Sequence, residues 1–311
     1  MKRFIVLFVF LLAVAGGVST VISQYLAPNF DKGVEAFNDE NYSVALSELE
    51  PFANQGNPKA MYYIAKMYAE GRGVVQNDNQ AVKWYRLSAE KGDFYSQHNL
   101  AVFYEKGRGV PKDIEQAINW YIRSAEQGSV LSQTALGRVH LASGKPEKVA
   151  EAAKWLQLAS EQDNAKSQAM LGYLYANGLG VVQDDKTAFK LVSRAAEQGL
   201  APAQTLVGHY YYNGELVTLD FEEAFDWYLL AAEQGEITAQ YNLANMYEAG
   251  QGTARDVTRA YMWWSVADKL GREDARDRLT QLEQSMTPDE IKAGKSLTDE
   301  CLVKPYEYTG C

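Results

Sequence analysis

The sequence repeats itself with a period of about 36 residues, and a period of this length strongly restricts the folds that the chain can adopt. Successive blocks begin 36, 36, 35, 36 and 36 residues apart. Their first residues are Ala60, Ser96, Ser132, Ser167, Ala203 and Ala239. The sixth block ends at residue 274, so the repeats cover more than two thirds of the 311-residue chain.

Each block begins with a segment that has the spacing of a helix. In the second block, small or apolar residues stand at Ser96, Leu100, Ala101 and Tyr104, and we expect these offsets to face the core. Gly107 follows, and glycine stands at the same offset in four other blocks. Because glycine adopts the left-handed conformation at little cost, it predicts the end of this first helix.

A second helix is predicted by an alanine and a tryptophan three residues apart, such as Ala117 and Trp120. We expect the alanine to permit close helix approach and the tryptophan to fill the resulting layer. A single helical hairpin cannot bury its apolar face alone, so neighbouring hairpins must stack. The sequence therefore predicts an all-α fold, an α/α superhelical solenoid of six helix-turn-helix repeats with helical caps.

Two stretches carry a resemblance to a known family. One is Ala-Gln-Tyr-Asn-Leu-Ala-Asn-Met-Tyr at residues 239–247, and the other is Trp120-Tyr121 followed by Ser-Ala-Glu-Gln-Gly at residues 124–128. They resemble Sel1-like repeats, which are 36-residue relatives of tetratricopeptide repeats. The resemblance covers residues 60–274. It implies an α/α solenoid of a family whose members act mostly as adaptors and scaffolds.

The segments on either side of the repeats predict helical caps. Residues 28–59 have the pattern of another helical pair, which is similar to a tetratricopeptide unit. Residues 275–311 predict a C-terminal helical cap with a disulfide-closed tail. Within that cap, Thr287 and Glu290 predict a helix start, because they have the spacing of a capping box.

Residues 1–27 have the pattern of an export segment. Lys2 and Arg3 precede a twelve-residue apolar run, and the first acidic residue is Asp31. A cleaved signal peptide and an uncleaved membrane anchor both fit, because residues 4–22 are long enough to span a bilayer. Either interpretation predicts an exported protein. It would be periplasmic, anchored in the inner membrane facing the periplasm, or secreted.

Charge and cysteine content exclude several classes of protein. The net charge is −10, which argues against nucleic acid as a partner. The two cysteines, Cys301 and Cys311, rule out a zinc ribbon and are expected to form a disulfide in an oxidising compartment. The three histidines lie in different repeats, and none is paired at metal-ligand spacing. We therefore expect no metal and no cofactor, and we expect His140 to lie in the core.

The sequence carries one weak catalytic motif. Ser88 and Lys91 form the single Ser-x-x-Lys of the chain. A serine acylase of the β-lactamase class also needs Ser-Asp-Asn and Lys-Thr-Gly, and the sequence contains neither. Ser88 occupies an offset at which the other repeats also place a small residue. The sequence therefore favours a structural role for Ser88 and a protein that is not an enzyme.

Superposition on the tetratricopeptide pattern places four offsets of each first helix on the concave face of the solenoid. Side chains at these offsets vary between repeats and include many tyrosines, amides and histidines, which suit peptide or sugar ligands. The predicted partner-binding residues are Tyr62, His98, Arg138, Tyr173, Asn177, His209, Tyr212, Asn213, Tyr241 and Asn245.

These residues predict an exported adaptor that binds another envelope or secreted protein in a bacterium. Two alternatives stay open at this point. One is a module that binds glycan or peptidoglycan, and the other, which is less favoured, is a β-lactamase-like hydrolase.

Overall fold

The computed structural model describes residues 28–303, which consist of helices joined by short loops. These residues form sixteen helices and no strand, so the predicted all-α fold is confirmed. The chain divides into two compact units between Ser132 and Gln133. Within each unit, helices that are adjacent in sequence pack against each other, as in an α/α solenoid of helix pairs.

The first unit contains six complete helices. They are α1 (Phe30–Asn38), α2 (Tyr42–Asn54), α3 (Pro58–Glu70), α4 (Asp78–Glu90), α5 (Phe94–Lys106) and α6 (Ile114–Glu126). The next helix, α7 (Val130–Ala142), contains the division between the units.

The second unit contains nine further helices. They are α8 (Pro146–Glu161), α9 (Ala165–Asn177), α10 (Asp185–Glu197), α11 (Ala201–Asn213), α12 (Phe221–Glu233), α13 (Ile237–Ala249), α14 (Val257–Lys269), α15 (Glu273–Glu283) and α16 (Pro288–Val303).

The helix ends follow the local chemistry of the sequence. Gly107 ends α5 with a φ of 71°, and the predicted left-handed glycine ends the first helix of four other repeats in the same way. The following helix begins at Asp113, whose side chain accepts a hydrogen bond from the backbone N–H of Gln116. The predicted capping box is also confirmed: Thr287 N–H donates to the Glu290 carboxylate at 2.7 Å.

In the second repeat, the buried aromatic side chains lie one residue away from the expected positions, whereas in the sixth repeat the expected Tyr247 and Trp263 are both buried. In the second repeat, Tyr121 is 1% exposed, whereas Trp120, which was expected to fill the layer, is half-buried. In the first helix, Phe103 is buried and Tyr104 is half-buried. The reason is the helical stripe i, i+4, i+7, which joins Ala117 to Tyr121 and excludes Trp120.

A row of buried glutamines, which the sequence analysis did not single out, links the helix pairs. Gln97 on α5 is buried, and its side-chain nitrogen donates to the Ala89 carbonyl on α4. Its side-chain oxygen accepts a hydrogen bond from Gln127 at the end of α6. A buried amide satisfied on both sides in this way fixes the register of three successive helices.

The end of the second unit packs on α14, which is the most deeply buried second helix. Trp263 and Trp264 on α14 are almost fully buried, and both α15 and α16 pack against this helix.

His140 on α7 is 2% exposed, so the prediction of a core position is confirmed. Burial lowers the pKa of His140 although Glu151 lies 3.5 Å from its Nε2.

The predicted export segment, residues 1–27, lies outside the described residues, as does its possible membrane-spanning part, residues 4–22. Over residues 28–303, no helix combines the length and the apolar character that a bilayer span requires. Cys301 lies on α16, and Cys311 is outside the described residues. The disulfide between them stays a prediction.

Candidate functional site

The second unit carries a polar pocket that brings four of the predicted partner-binding residues together. The pocket has a volume of about 200 Å³. It is lined by His209, Tyr212 and Asn213 of α11, Tyr228 of α12, and Asn242 and Asn245 of α13. Two of these residues, Tyr228 and Asn242, were not predicted. They lie outside the four offsets assigned to the concave face. The packing of α12 and α13 on α11 places their side chains in the pocket wall.

Hydrogen bonds hold one side of the polar pocket. The side-chain nitrogen of Asn213 lies 3.0 Å from Nε2 of His209 and donates to Glu215 at 3.2 Å. The Tyr212 hydroxyl donates to the side-chain oxygen of Gln251 at 3.1 Å. These contacts orient His209, Tyr212 and Asn213 before any ligand binds.

The other side of the polar pocket offers unused hydrogen-bonding capacity. Within residues 28–303, the half-buried amide of Asn245 makes no hydrogen bond to another side chain or to a backbone group. Tyr228 is buried, and burial raises the pKa of its phenol, while a hydrogen bond with Asn242 acts in the opposite direction. Tyr228 therefore stays neutral, and the pocket presents amide and hydroxyl groups together with the imidazole of His209, whose Nδ1 lies 3.8 Å from the Glu215 carboxylate.

A second, apolar pocket lies on the same helix. It has a volume of about 270 Å³. It is lined by Leu141 of α7, Ala169, Met170 and Tyr173 of α9, and Pro202, Ala203 and Leu206 of α11. Tyr173, a predicted partner-binding residue, is 55% exposed. Asn177 is exposed one turn further along α9 and donates to the Tyr173 carbonyl at 2.8 Å.

The two pockets are adjacent because both use α11. Leu206 lines the apolar pocket and His209 lines the polar pocket, three residues later on the same helix. Side chains three apart are neighbours on a helix surface. The two groups of lining residues on α11 are centred about eight residues apart, which is about 12 Å at the helical rise of about 1.5 Å per residue.

The first helices of this region are almost free of charge. The helices α9, α11 and α13 contain one histidine, His209, and only two residues of the Asp, Glu, Lys and Arg types, Lys166 and Glu248. Glu248 is paired with Arg278 at 2.8 Å. By contrast, the second helix α10 carries five charged residues in the same length. Depletion of charge together with enrichment of tyrosine is the composition of an interface core.

The remaining predicted residues of the second unit do not line either pocket. Tyr241 is half-buried and packs beneath Arg272, whose guanidinium carbon lies 4.2 Å from the ring centroid. Arg138 is exposed on α7. The eight predicted residues of this unit therefore divide into four in the polar pocket, one in the apolar pocket, and three around them.

The two predicted residues of the first unit are engaged in packing. Tyr62 is half-buried beside the rings of Tyr63 and Tyr95, and burial raises its pKa to about 12. Nδ1 of His98 lies 2.9 Å from the Ser132 hydroxyl, and burial lowers its pKa to about 4. Both side chains thus have internal contacts in addition to any that a partner would make.

Ser88 of the Ser-x-x-Lys motif lies in the packing between repeats. It is fully buried, and its hydroxyl donates to the Pro58 carbonyl at 2.7 Å and accepts from the Ser96 hydroxyl at 2.8 Å. These contacts give Ser88 a structural role. No group of three or more residues that could hold a metal ion occurs within residues 28–303.

Comparison with known proteins identifies the repeats. The Sel1 repeat family model matches six times, at residues 58–93, 94–129, 130–164, 165–200, 201–236 and 237–267. Among curated proteins, no sequence gives a significant match.

Two solved structures share the fold and part of the sequence. A Sel1 repeat protein from Oxalobacter formigenes is 30% identical with a TM-score of 0.70, and the match covers 78% of this chain and 97% of that one. The protein c5321, described as a protective antigen present in uropathogenic Escherichia coli strains, is 27% identical with a TM-score of 0.59. That match covers 88% of this chain and 68% of c5321.

Proposed function

The chain belongs to the Sel1 repeat family, and from this premise we propose that it is a non-catalytic adaptor which binds another protein through the first helices of its second unit. Sel1 repeat proteins are generally scaffolds for protein–protein interaction. The proposed binding surface, which we call the first-helix face, consists of the polar pocket, the apolar pocket and the exposed residues Arg138 and Asn177 beside them.

One observation carries this proposal: apart from Arg138, the first-helix face offers almost no charged side chain, in a chain that is strongly charged elsewhere. Surfaces that only face solvent gain solubility from charged side chains, as α10 illustrates. A surface that replaces them with tyrosine, amide and apolar side chains has the composition of an interface core.

We place this adaptor in the bacterial cell envelope. The support is the pattern of residues 1–27, in which Lys2 and Arg3 precede an apolar run. The partner would then be another envelope or secreted protein. Cell fractionation, with mass spectrometry of the N-terminal peptide, tests the location and distinguishes a cleaved signal peptide from an anchor.

In-cell crosslinking followed by pull-down tests the adaptor function. The full-length protein carries a C-terminal tag and is compared with a triple variant in which Tyr173, His209 and Asn213 are changed to alanine. All three side chains are exposed, so the variant keeps its fold. We expect one envelope protein to be captured by the wild type and lost in the variant.

The matched control changes three exposed residues of the second helices, Lys154, Leu158 and Leu230, to alanine. This control should capture the partner as well as the wild type does. Equal capture by the wild type and the first-helix variant would contradict the proposal, as would loss of capture in the control.

A glycan-binding module is the second candidate, and the polar pocket is the observation that favours it. Amide side chains beside tyrosine rings, as in Asn245 and Tyr212, can bind sugar hydroxyls and stack on sugar rings. Co-sedimentation of the protein with purified cell wall tests this candidate. Co-sedimentation that is lost when Asn245 is changed to alanine would favour glycan over protein as the ligand.

A further inference from the structure

We infer that the two pockets together bind one extended, uncharged segment of the partner protein. A large apolar side chain of that segment enters the apolar pocket, and an amide or hydroxyl side chain four residues away along the segment enters the polar pocket. This inference rests on the proposed adaptor function and names the chemistry that the first-helix face recognises.

The apolar pocket selects a hydrophobic side chain. Its walls come from Leu141, Met170, Pro202 and Leu206, together with two alanines and the ring of Tyr173. An apolar side chain gains by leaving water for such walls. A sugar hydroxyl or a charged group would lose its hydration there without gaining a hydrogen-bond partner. The pocket therefore favours a peptide anchor over a glycan.

The polar pocket selects a group that both donates and accepts hydrogen bonds. Asn245 has an amide without a partner in the described part of the chain, and Asn242 and Tyr228 stand beside it. An amide presents one acceptor and two donors, which match the amide of Asn or Gln, a hydroxyl or a peptide group. A ligand of this kind satisfies Asn245 without introducing charge.

The spacing of the pockets sets the spacing of the two recognised side chains. The lining residues on α11 are centred about 12 Å apart along the helix. An extended peptide advances about 3.3 Å per residue, and its side chains at i and i+4 point to the same face. Four residues of extended chain, about 13 Å, therefore connect the two pockets, whereas four residues of helix, at about 1.5 Å each, would fall short.

The charge of the first-helix face determines the charge of the segment. The lining side chains of both pockets include no carboxylate, ammonium or guanidinium group. A charged side chain seated in the apolar pocket would be desolvated without a counter-charge in the lining. Beside the polar pocket, the Glu215 carboxylate already accepts a hydrogen bond from Asn213 and lies 3.8 Å from His209. Charge complementarity therefore favours an uncharged segment, even though the net charge of the whole chain is −10.

Selection from a phage-displayed library of random dodecapeptides on the immobilised full-length protein tests the inference. We expect enrichment of uncharged sequences that carry a large apolar residue and, four positions away, Asn, Gln, Ser or Thr. Enrichment of acidic or basic sequences, or no enrichment at all, would overturn it.

One substitution in each pocket then tests that pocket with a selected peptide. Pro202→Glu places a carboxylate at the apolar pocket, at a helix start where an acidic residue is tolerated. Asn245→Asp changes the polar pocket without changing its shape. Each should weaken peptide binding, measured by fluorescence anisotropy, by about tenfold or more.

The chain offers a matched control for each substitution. Pro146→Glu makes the same change at the start of α8, and Asn119→Asp makes it at an exposed asparagine of α6. Both controls should bind the peptide as the wild type does. Equal weakening in the controls, or displacement of the peptide by a chitooligosaccharide, would overturn the inference.

The same variants separate this inference from the adaptor proposal. If crosslinking captures a partner that the alanine triple variant loses but that Pro202→Glu and Asn245→Asp retain, the adaptor proposal stands and the two-pocket inference fails. If no protein is captured through the first-helix face, the adaptor proposal itself fails.

Discussion

Gln234, which follows the last residue of α12, donates a hydrogen bond of 2.7 Å to the buried side-chain oxygen of Gln204 on α11. The same glutamine pair recurs in other repeats: Gln127 with Gln97, Gln162 with Gln133, and Gln198 with Gln168. In the last repeat the buried member is Gln240, and thirty residues later the sequence has Leu270. Leucine cannot donate, and the side-chain oxygen of Gln240 has no hydrogen-bond partner.

Leu270→Gln should therefore stabilise the protein. A buried acceptor without a partner costs about 1–3 kcal/mol, and a restored hydrogen bond contributes about 0.5–1.5 kcal/mol. Leu270 is 36% exposed and therefore partly buried, so the loss of its apolar contacts offsets part of this gain. We expect a higher urea midpoint than that of the wild type, measured by circular dichroism. An unchanged or lower midpoint would contradict our inference that residue 270 lies within hydrogen-bonding reach of Gln240.

The reverse substitution is the control for this prediction. Gln234→Leu leaves the buried oxygen of Gln204 without its donor and should lower the free energy of unfolding by about 1–3 kcal/mol. Gln234 is itself exposed, so the loss would come from the hydrogen bond rather than from packing.

Leu216 occupies a backbone conformation that other repeats give to glycine. Its φ is 63°, and the residues at the same offset in other repeats include Gly109 and Gly252, with φ of 62° and 67°. A non-glycine residue in this region costs about 1–2 kcal/mol. Leu216→Gly should raise the free energy of unfolding by about 0.5–1 kcal/mol, after the greater freedom of the unfolded glycine is subtracted.

Gly252→Ala is the opposite test at the matching position. A Cβ on Gly252 would collide with the backbone carbonyl of Phe221, and the left-handed φ would add strain. We expect a loss of about 2 kcal/mol or more in thermal or urea unfolding. If Leu216→Gly destabilises the protein, then the packing of the Leu216 side chain, which is 40% exposed, outweighs its backbone strain.

The features that could be predicted from the sequence are those set within one repeat. The left-handed Gly107 and the capping box of Thr287 and Glu290 depend on a few neighbouring residues, and both are present in the structure. Periodicity alone could not decide between Trp120 and Tyr121 as the buried residue. Both lie near the apolar face, and the packing of the neighbouring helices selects Tyr121.

The pockets could be predicted only in part, because they form between repeats. His209 and Asn245 were found because they occupy the same offset in successive first helices. Tyr228 lies on a second helix, and its contribution depends on how α12 packs between α11 and α13. The sequence does contain a signal for the buried glutamines, because glutamine recurs at one offset in five repeats.

The predicted disulfide between Cys301 and Cys311 gives a further test. In the chain-entropy account, closing this short loop stabilises the folded state by about 2–3 kcal/mol. Protein isolated under non-reducing conditions should be two hydrogens lighter by intact mass spectrometry than the same protein after reduction. Cys311→Ser should abolish this difference in the monomer, and a persistent difference would exclude the proposed pairing.

Folding stability should fall in mild acid because of His98. Burial lowers the pKa of folded His98 to about 4, below the usual value of 6.5, so the unfolded chain binds the proton more readily. The stabilisation is complete above pH 6.5 and is lost progressively as the pH falls from about 6.5 to about 4. At pH 5 this group alone should cost about 2 kcal/mol relative to pH 7.5.

His98→Gln removes the titrating group and keeps a side chain that can hydrogen-bond to the Ser132 hydroxyl, which lies 2.9 Å from Nδ1 of His98. The variant should therefore lose less stability than the wild type between pH 7.5 and pH 5, measured by urea unfolding at each pH. His209→Gln makes the same change at an exposed histidine and serves as the matched control. An identical pH dependence in the wild type and His98→Gln would show that the proton taken up on unfolding binds to another group.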